Sequence, residues 1–264
     1  MKASFSSLQP AQNSSGAPDW IQTTDGYHRP IMRLMNDISL AMANNKRLAA
    51  VLIDFSQAFD SVWHEGLLDK LLSLNIPLPL VQWINDFLQG RKFKIRFNGL
   101  VSEEAQEFVT GVPQGSPLSP LLFIIFTCDM TRKSCSPTNS SRSFQVGSYA
   151  DDTAIWADRR NLLDTKKTLQ KQLFLISQWC RKWRLSLNPS KCETIVFGYR
   201  GGRPPGVSLE IDGKPIKQVS EVNCLGCVLS SGLGFAKHLD LMFSKLKRRI
   251  GALRSMAQSR MSNR

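Results

Sequence analysis

Val146-Gly147-Ser148-Tyr149-Ala150-Asp151-Asp152-Thr153-Ala154-Ile155 is the stretch on which the fold turns. Apolar and small residues flank two adjacent acids, and the pattern predicts a hairpin with Asp151 and Asp152 at or near its tip. Two neighbouring carboxylates in an apolar setting are costly to bury unless a cation compensates them. A divalent metal is the most economical candidate, because Mg²⁺ takes oxygen ligands from one or two protein carboxylates plus substrate phosphates. Asp-Asp pairs are also ordinary in turns and at helix starts. The pair therefore gains meaning only beside a third carboxylate.

Asp54 supplies that third acid. Ala49 to Phe55 reads as a short buried strand that delivers Asp54 at its end. A strand-end carboxylate beside a hairpin-tip pair can build a two-metal site. One ion would activate an attacking 3′ oxygen, and the other would steady a triphosphate and its leaving pyrophosphate. A helix N-cap or a buried salt bridge is the plainer alternative for Asp54, and that kind of role suits Asp60 better.

Charge points the same way. Lys and Arg number 34 against 21 Asp and Glu, a net of +13, which suits a polyanion such as nucleic acid or an anionic surface. Eight of the basic residues fall between Lys237 and Arg264, where Asp240 is the single acid. A solvated basic tail is the bland reading of that run. The longest apolar run, Leu118 to Met130, is too short to span a bilayer. The first twenty residues carry no hydrophobic signal core. These features exclude a secreted or membrane-spanning reading and predict an intracellular protein, nuclear or cytoplasmic. Six scattered cysteines then read as free thiols, with Cys224 and Cys227 as strand residues rather than a zinc or redox pair.

Hydrophobic spacing orders the rest. Residues 1–28 are predicted to be disordered. Ile31, Leu34, Met35, Ile38 and Met42 recur at helical steps from Pro30. Ser61 is placed to cap a helix with Leu67, Leu68, Leu71 and Leu72 on its stripe, and a shorter helix follows Pro77. Phe93, Ile95 and Phe97 alternate with Lys92, Lys94 and Arg96 as a strand. Asn98-Gly99 turns it towards a return strand holding Phe108 and Val109. A helix runs from Pro117 or Pro120 to about Met130, and Lys133 to Ser143 reads as a polar loop. Asn161 caps a long amphipathic helix. Leu185 to Phe197 reads as short strands and Gly201 to Gly206 as a loop. Asp212-Gly213 turns a hairpin, Val222 to Leu229 is one strand, and Lys237 to Met256 is a basic helix. Strands and helices mix without strict alternation, which favours α+β.

Three segments then stand in order: Asp54-Phe55-Ser56-Gln57-Ala58-Phe59-Asp60, Gly111-Val112-Pro113-Gln114-Gly115-Ser116-Pro117-Leu118-Ser119-Pro120, and Tyr149-Ala150-Asp151-Asp152. Together they resemble motifs A, B and C of reverse transcriptases, most closely those of non-LTR (LINE-like) retrotransposons. Leu187-Asn188-Pro189-Ser190-Lys191 resembles motif D, and Cys224-Leu225-Gly226 the primer-grip motif E. The resemblance covers roughly residues 31–256. It implies a right-hand polymerase palm, a ferredoxin-like antiparallel sheet with packed helices, bearing partial fingers and the start of a thumb. Residues 29–232 would be the partial fingers and palm, and 233–264 a truncated basic thumb. Residues 1–28 would be non-homologous.

The implied activity is RNA-directed DNA synthesis from a primer 3′-OH with dNTPs, an RNA template and a DNA primer or target. Two Mg²⁺ ions, or Mn²⁺, would serve it. Asp54 and Asp151 would be the principal ligands, with Asp152 and the Phe55 carbonyl completing the set. Phe59 sits where the family places a steric gate against a 2′-OH; a core phenylalanine is the alternative. Gln114 and Gly115 would meet the nucleotide and template, and Tyr149 would lie beneath the primer terminus. Lys191 matches a lysine proposed to protonate pyrophosphate, a surface lysine being the alternative.

Departures from the family are concentrated at the ends. About thirty unlike residues precede the helix before motif A, where the family carries substantial fingers sequence. No endonuclease, RNase H or zinc knuckle is recognisable, and no obligate protein partner is evident. The expectation is a fragment or decayed copy, with a non-catalytic nucleic-acid-binding remnant as the alternative.

Overall fold

The computed structural model describes residues 28–130, 144–149, 151–159, 161–198, 205–224 and 226–261. The segment expected to be disordered lies outside the described residues but for His28, as do the loop Lys133 to Ser143 and most of Gly201 to Gly206.

A mixed sheet forms the centre, and its strand order brings distant sequence together. Strands β1 (Leu48–Ile53), β6 (Gln145–Tyr149), β7 (Asp152–Ala157), β8 (Glu193–Phe197) and β11 (Lys217–Val219) lie in the order β11-β8-β1-β7-β6. All neighbours pair antiparallel except β11, which runs parallel to β8. The expected antiparallel sheet is thus correct for four strands and is extended by a parallel edge strand. β1 is central, which explains why its sequence is an unbroken apolar run: both of its faces are covered.

Strand alternation splits the core into two layers. On one face, Ala49, Val51, Ile53, Ile155, Ala157 and Val196 pack in one buried cluster with the helices α2 (His64–Ser73), α3 (Leu78–Leu88), α4 (Ser119–Thr127) and α5 (Leu162–Lys182). Phe123 and Phe126 of α4 are fully buried there, each contributing about 2–3 kcal/mol of apolar transfer. On the other face, Leu48, Ala50, Ala154, Trp156, Ile195 and Phe197 meet Leu34, Ile38 and Ala41 of α1 (His28–Ala43). The Trp156 indole donates to Asp37 at 2.8 Å, and Arg33 donates to Gln145 at 2.6 Å, so α1 is tied to the sheet by polar bonds as well.

Local expectations meet mixed outcomes. The hairpin β6–β7 forms, with Tyr149 opposite Asp152. Asn161 caps α5, its side-chain oxygen accepting from the Asp164 amide at 2.8 Å. Asp212-Gly213 turns the hairpin of β9 (Glu210–Ile211) and β10 (Lys214–Pro215).

Ser61 does not cap a helix. α2 starts at His64 after Trp63, and the Ser61 hydroxyl turns back to the Ser56 carbonyl. The strand expected through Phe93–Phe97 is broken into β2 (Lys92–Phe93) and β3 (Arg96–Phe97), paired with β5 (Gln106–Glu107) and β4 (Leu100–Val101) respectively. Phe108 and Val109 fall just outside the return strand, although the Phe108 ring still packs on Phe93 at 4.7 Å. Val222 to Leu229 is two strands, β12 (Glu221–Cys224) and β13 (Cys227–Ser230), because Gly226 at φ +78° takes the left-handed conformation of a tight turn. The basic helix α6 (Ala236–Met261) packs beside β13 and leaves Leu239, Met242, Phe243, Leu246, Ile250 and Leu253 exposed.

Candidate active site

Register alone brings Asp54 and Asp152 together. Ile53 pairs with Thr153 at the end of the β1–β7 ladder, so Asp54 and Asp152 are each one residue beyond that pair. Phe55 is buried on the helical face, so Asp54 points to the opposite face by alternation. Asp152 shares that face with Ala154 and Trp156. Asp151 occupies the turn, exposed beside it.

Electrostatics report the same convergence. Desolvation holds the Asp152 carboxyl above its ordinary range, and the nearby charges of Asp151 and then Asp54 push it further up. Asp54 Oδ2 is buried and has no hydrogen-bond partner. A buried, unpartnered carboxylate oxygen facing two further acids is a hard-oxygen donor set suited to a divalent cation. Among the described residues, no three His, Cys, Asp or Glu side chains converge into a ready-made cage. A divalent cation held by these acids would therefore need further oxygen ligands from outside the protein.

The backbone around Asp54 is held from the β8 side. The Asn188 amide donates to the Asp54 carbonyl at 2.9 Å, and the Ser56 amide donates to the Ser186 carbonyl at 2.8 Å. These two bonds close the bridge between Phe55 and Leu187, which leaves the Phe55 carbonyl turned away from Leu187 towards β7. The Asp54 amide also donates to Cys192 Sγ at 3.3 Å. Burial pushes that thiol's pKa up, and the Asp54 backbone bond opposes the shift only in part. Sequence reasoning had no signal for Cys192, because its role depends on how β8 enters the sheet.

Aromatic packing sets the next layer. The Phe59 ring lies 5.2 Å from Phe123, and Phe123 meets Phe55 edge-on at 6.2 Å. Phe59 is half-buried, so it is core on one side and available on the other. Gln114 and Gly115 are exposed on the loop before α4, and Gln114 Nε2 donates to Asp60 Oδ1 at 3.0 Å. Asp60 is thus neither a helix cap nor a buried salt bridge. Gly115 takes φ +86° with open space where a Cβ would stand, which leaves its backbone approachable.

Two other expected residues are less engaged. Lys191 is exposed, forms no ion pair among the described residues, and sits in the turn whose Asn188 holds Asp54. The Tyr149 backbone ends β6, but its side chain lies outside the described residues.

The chain is similar to known proteins. Residues 12–229 match the family model described as reverse transcriptase (RNA-dependent DNA polymerase). The chain is 33% identical over 214 residues to the RNA-directed DNA polymerase from mobile element jockey of Drosophila melanogaster, covering 81% of this chain and 23% of that protein. It is 30% identical over 218 residues to the probable RNA-directed DNA polymerase from transposon X-element of the same fly, covering 83% and 23%. It is also 30% identical over 177 residues to the Pol polyprotein from type-1 retrotransposable element R2 of Nasonia vitripennis, covering 66% and 16%. The chain thus spans less than a quarter of the length of these curated relatives. Among solved structures, apo telomerase from Candida tropicalis, truncated from its C-terminal domain, superposes with a TM-score of 0.53 at 13% identity, covering 77% of this chain and 39% of that one. That likeness concerns the fold.

Proposed function

The chain belongs to the reverse transcriptase (RNA-dependent DNA polymerase) family, and from that premise we propose that it carries the nucleotide-adding centre of a non-LTR retrotransposon polymerase. The observation that carries the proposal is the meeting of Asp54, Asp151 and Asp152 at one end of the sheet, with Asp54 Oδ2 buried and unpartnered. In this reading the central sheet is the palm, β2 to β5 belong to partial fingers, and α6 opens the thumb. The reaction joins a primer 3′ oxygen to the α-phosphorus of a dNTP, breaks the bond to the β-phosphate and releases pyrophosphate, with RNA as template.

Asp54, Asp151, Asp152 and the Phe55 carbonyl would hold two Mg²⁺ ions, which would lower the pKa of the attacking hydroxyl and carry the charge of the triphosphate. The protein's own groups do the rest. Phe59, backed by Phe123, presses on the sugar where a 2′-OH would have to fit. Gln114 and the open backbone of Gly115 line the nucleotide. Tyr149 underlies the primer end. Lys191 offers a cation, and a proton, to the departing pyrophosphate. Basic α6 follows the duplex backbone.

Primer extension on an RNA template with Mg²⁺ tests the reading. Asp151→Asn should lower incorporation at least about a hundredfold, since it removes a charge needed at the reacting phosphate. Extension that survived this substitution would sink the assigned mechanism. Salt-dependent RNA binding with no incorporation by the wild-type chain would favour the non-catalytic remnant instead.

A further inference from the structure

The turn after Asp54 and the loop that carries Gln114 are locked into one unit. The Asp60 and Ser61 amides donate to the Gln57 carbonyl at 3.0 and 2.9 Å, which closes the turn. Onto that turn the loop is bonded three times. The Thr110 hydroxyl donates to the Asp60 carbonyl at 3.1 Å, the Gly111 amide to the Val62 carbonyl at 2.8 Å, and the Val112 amide to the Phe59 carbonyl at 2.8 Å. His64 Nε2 lies 2.7 Å from the Gly111 carbonyl, which only accepts, so Nε2 carries the proton. Approach is so close that a Cβ on Gly111 would stand 2.8 Å from the Asp60 backbone.

Asp60 also reaches the Gln114 side chain in this loop. Its Oδ1 accepts from Gln114 Nε2 at 3.0 Å. An ionised carboxylate can only accept, so the amide must turn its nitrogen to Asp60 and present its oxygen outward. We propose that Asp60 is a positioning residue, which orients the Gln114 amide so that its oxygen faces the incoming nucleotide as a hydrogen-bond acceptor. Phe59 precedes Asp60 on the same hydrogen-bonded turn, so one element sets both the ring against the sugar and the amide beside it. The inference rests on the polymerase reading above.

Steady-state primer extension, varying dNTP, tests it. Asp60→Ala should raise the KM for dNTP about five- to tenfold while kcat changes little, the size of one charge-assisted hydrogen bond at an exposed site. Asp60→Asn keeps an acceptor and should stay within about twofold of wild type. In a Gln114→Ala background, Asp60→Ala should add nothing further. Should Asp60→Ala fold poorly, Gln114→Glu serves instead: it sets a second carboxylate against that of Asp60 and should raise KM, with Asp60→Asn restoring a donor and relieving it. A KM unmoved by Asp60→Ala, an equal effect without Gln114, or no rescue by Asp60→Asn overturns the assignment while leaving the polymerase intact. A wild-type chain that neither binds dNTP nor extends primer overturns the function itself, and this inference with it.

Discussion

Asp152 holds a charge that folding disfavours. Burial and two neighbouring carboxylates raise its folded-state pKa above the unfolded value. The folded chain therefore binds that proton more tightly than the unfolded chain does. Below the ordinary aspartate range both states are protonated and no penalty exists; as pH rises through the raised value, stability is lost. Asp152→Asn should accordingly raise the thermal midpoint near neutral pH, and the gain should fade on acidification. Melting both proteins across that range checks the sign, and a midpoint lowered near neutrality would refute it. Mg²⁺ should raise the midpoint of the wild type more than that of Asp152→Asn, because the cation and the substitution relieve the same repulsion. Gly111 is constrained in a different way. At φ +92°, with the Asp60 backbone 2.8 Å from where a Cβ would be, Gly111→Ala should cost more than about 1 kcal/mol in denaturant titration.

Elements α2, α4 and α5 meet on one lysine. Lys70 is almost wholly buried, and its ammonium donates to the Phe126 carbonyl and to Asp129. The Trp183, Trp179 and Phe126 rings surround it, with centroids 3.7, 4.5 and 5.0 Å away. Trp179 Nε1 also donates to Asp129 at 3.1 Å. Burial lowers the Lys70 pKa, and the Asp129 hydrogen bond and charge offset that only in part. Removing one partner leaves a charge with no counterpart, so Lys70→Ala should cost about 3–5 kcal/mol. Lys70→Met combined with Asp129→Asn should recover most of it, which urea unfolding of the three proteins would show. Equal stability of Lys70→Ala and wild type would exclude this clasp. Sequence spacing placed Leu67 and Leu71 on the buried stripe of α2, but Lys70 between them looks like any solvated lysine. The helix α5 was legible because Asn161 caps it and Leu169, Leu173, Ile176 and Cys180 repeat at helical steps. The start of α2 was not, because backbone bonds of the Asp54–Ser61 turn, rather than a cap residue, decide where that helix begins.

Across the whole molecule, net charge of +13 meets an exposed basic helix. Lys245, Lys247, Arg248 and Arg249 all lie exposed on α6. If they lie against phosphates, each one neutralised should remove roughly 0.7–0.9 from the slope of log binding constant against log salt. RNA and duplex titrations at several salt concentrations read this directly, and an unchanged slope would remove α6 from the interface. The same helix is attached to the body through β13, so its substitutions should leave the unfolding free energy within about 0.5 kcal/mol of wild type.

What the amino-acid sequence determined is what depends on near neighbours. Alternation around Tyr149-Ala150-Asp151-Asp152 set the hairpin, glycine after asparagine or aspartate placed the turns at Asn98-Gly99 and Asp212-Gly213, and three motifs in order identified the family. Tertiary structure alone decided that β1 lies between β7 and β8, that Cys192 and Asn188 hold the Asp54 backbone, and that Asp60 meets Gln114 across 54 positions. The physical reason is range. Side-chain period and turn chemistry act within a few residues, whereas strand order is chosen by which apolar faces can be buried together, and only that choice brings the three carboxylates to one end of the sheet.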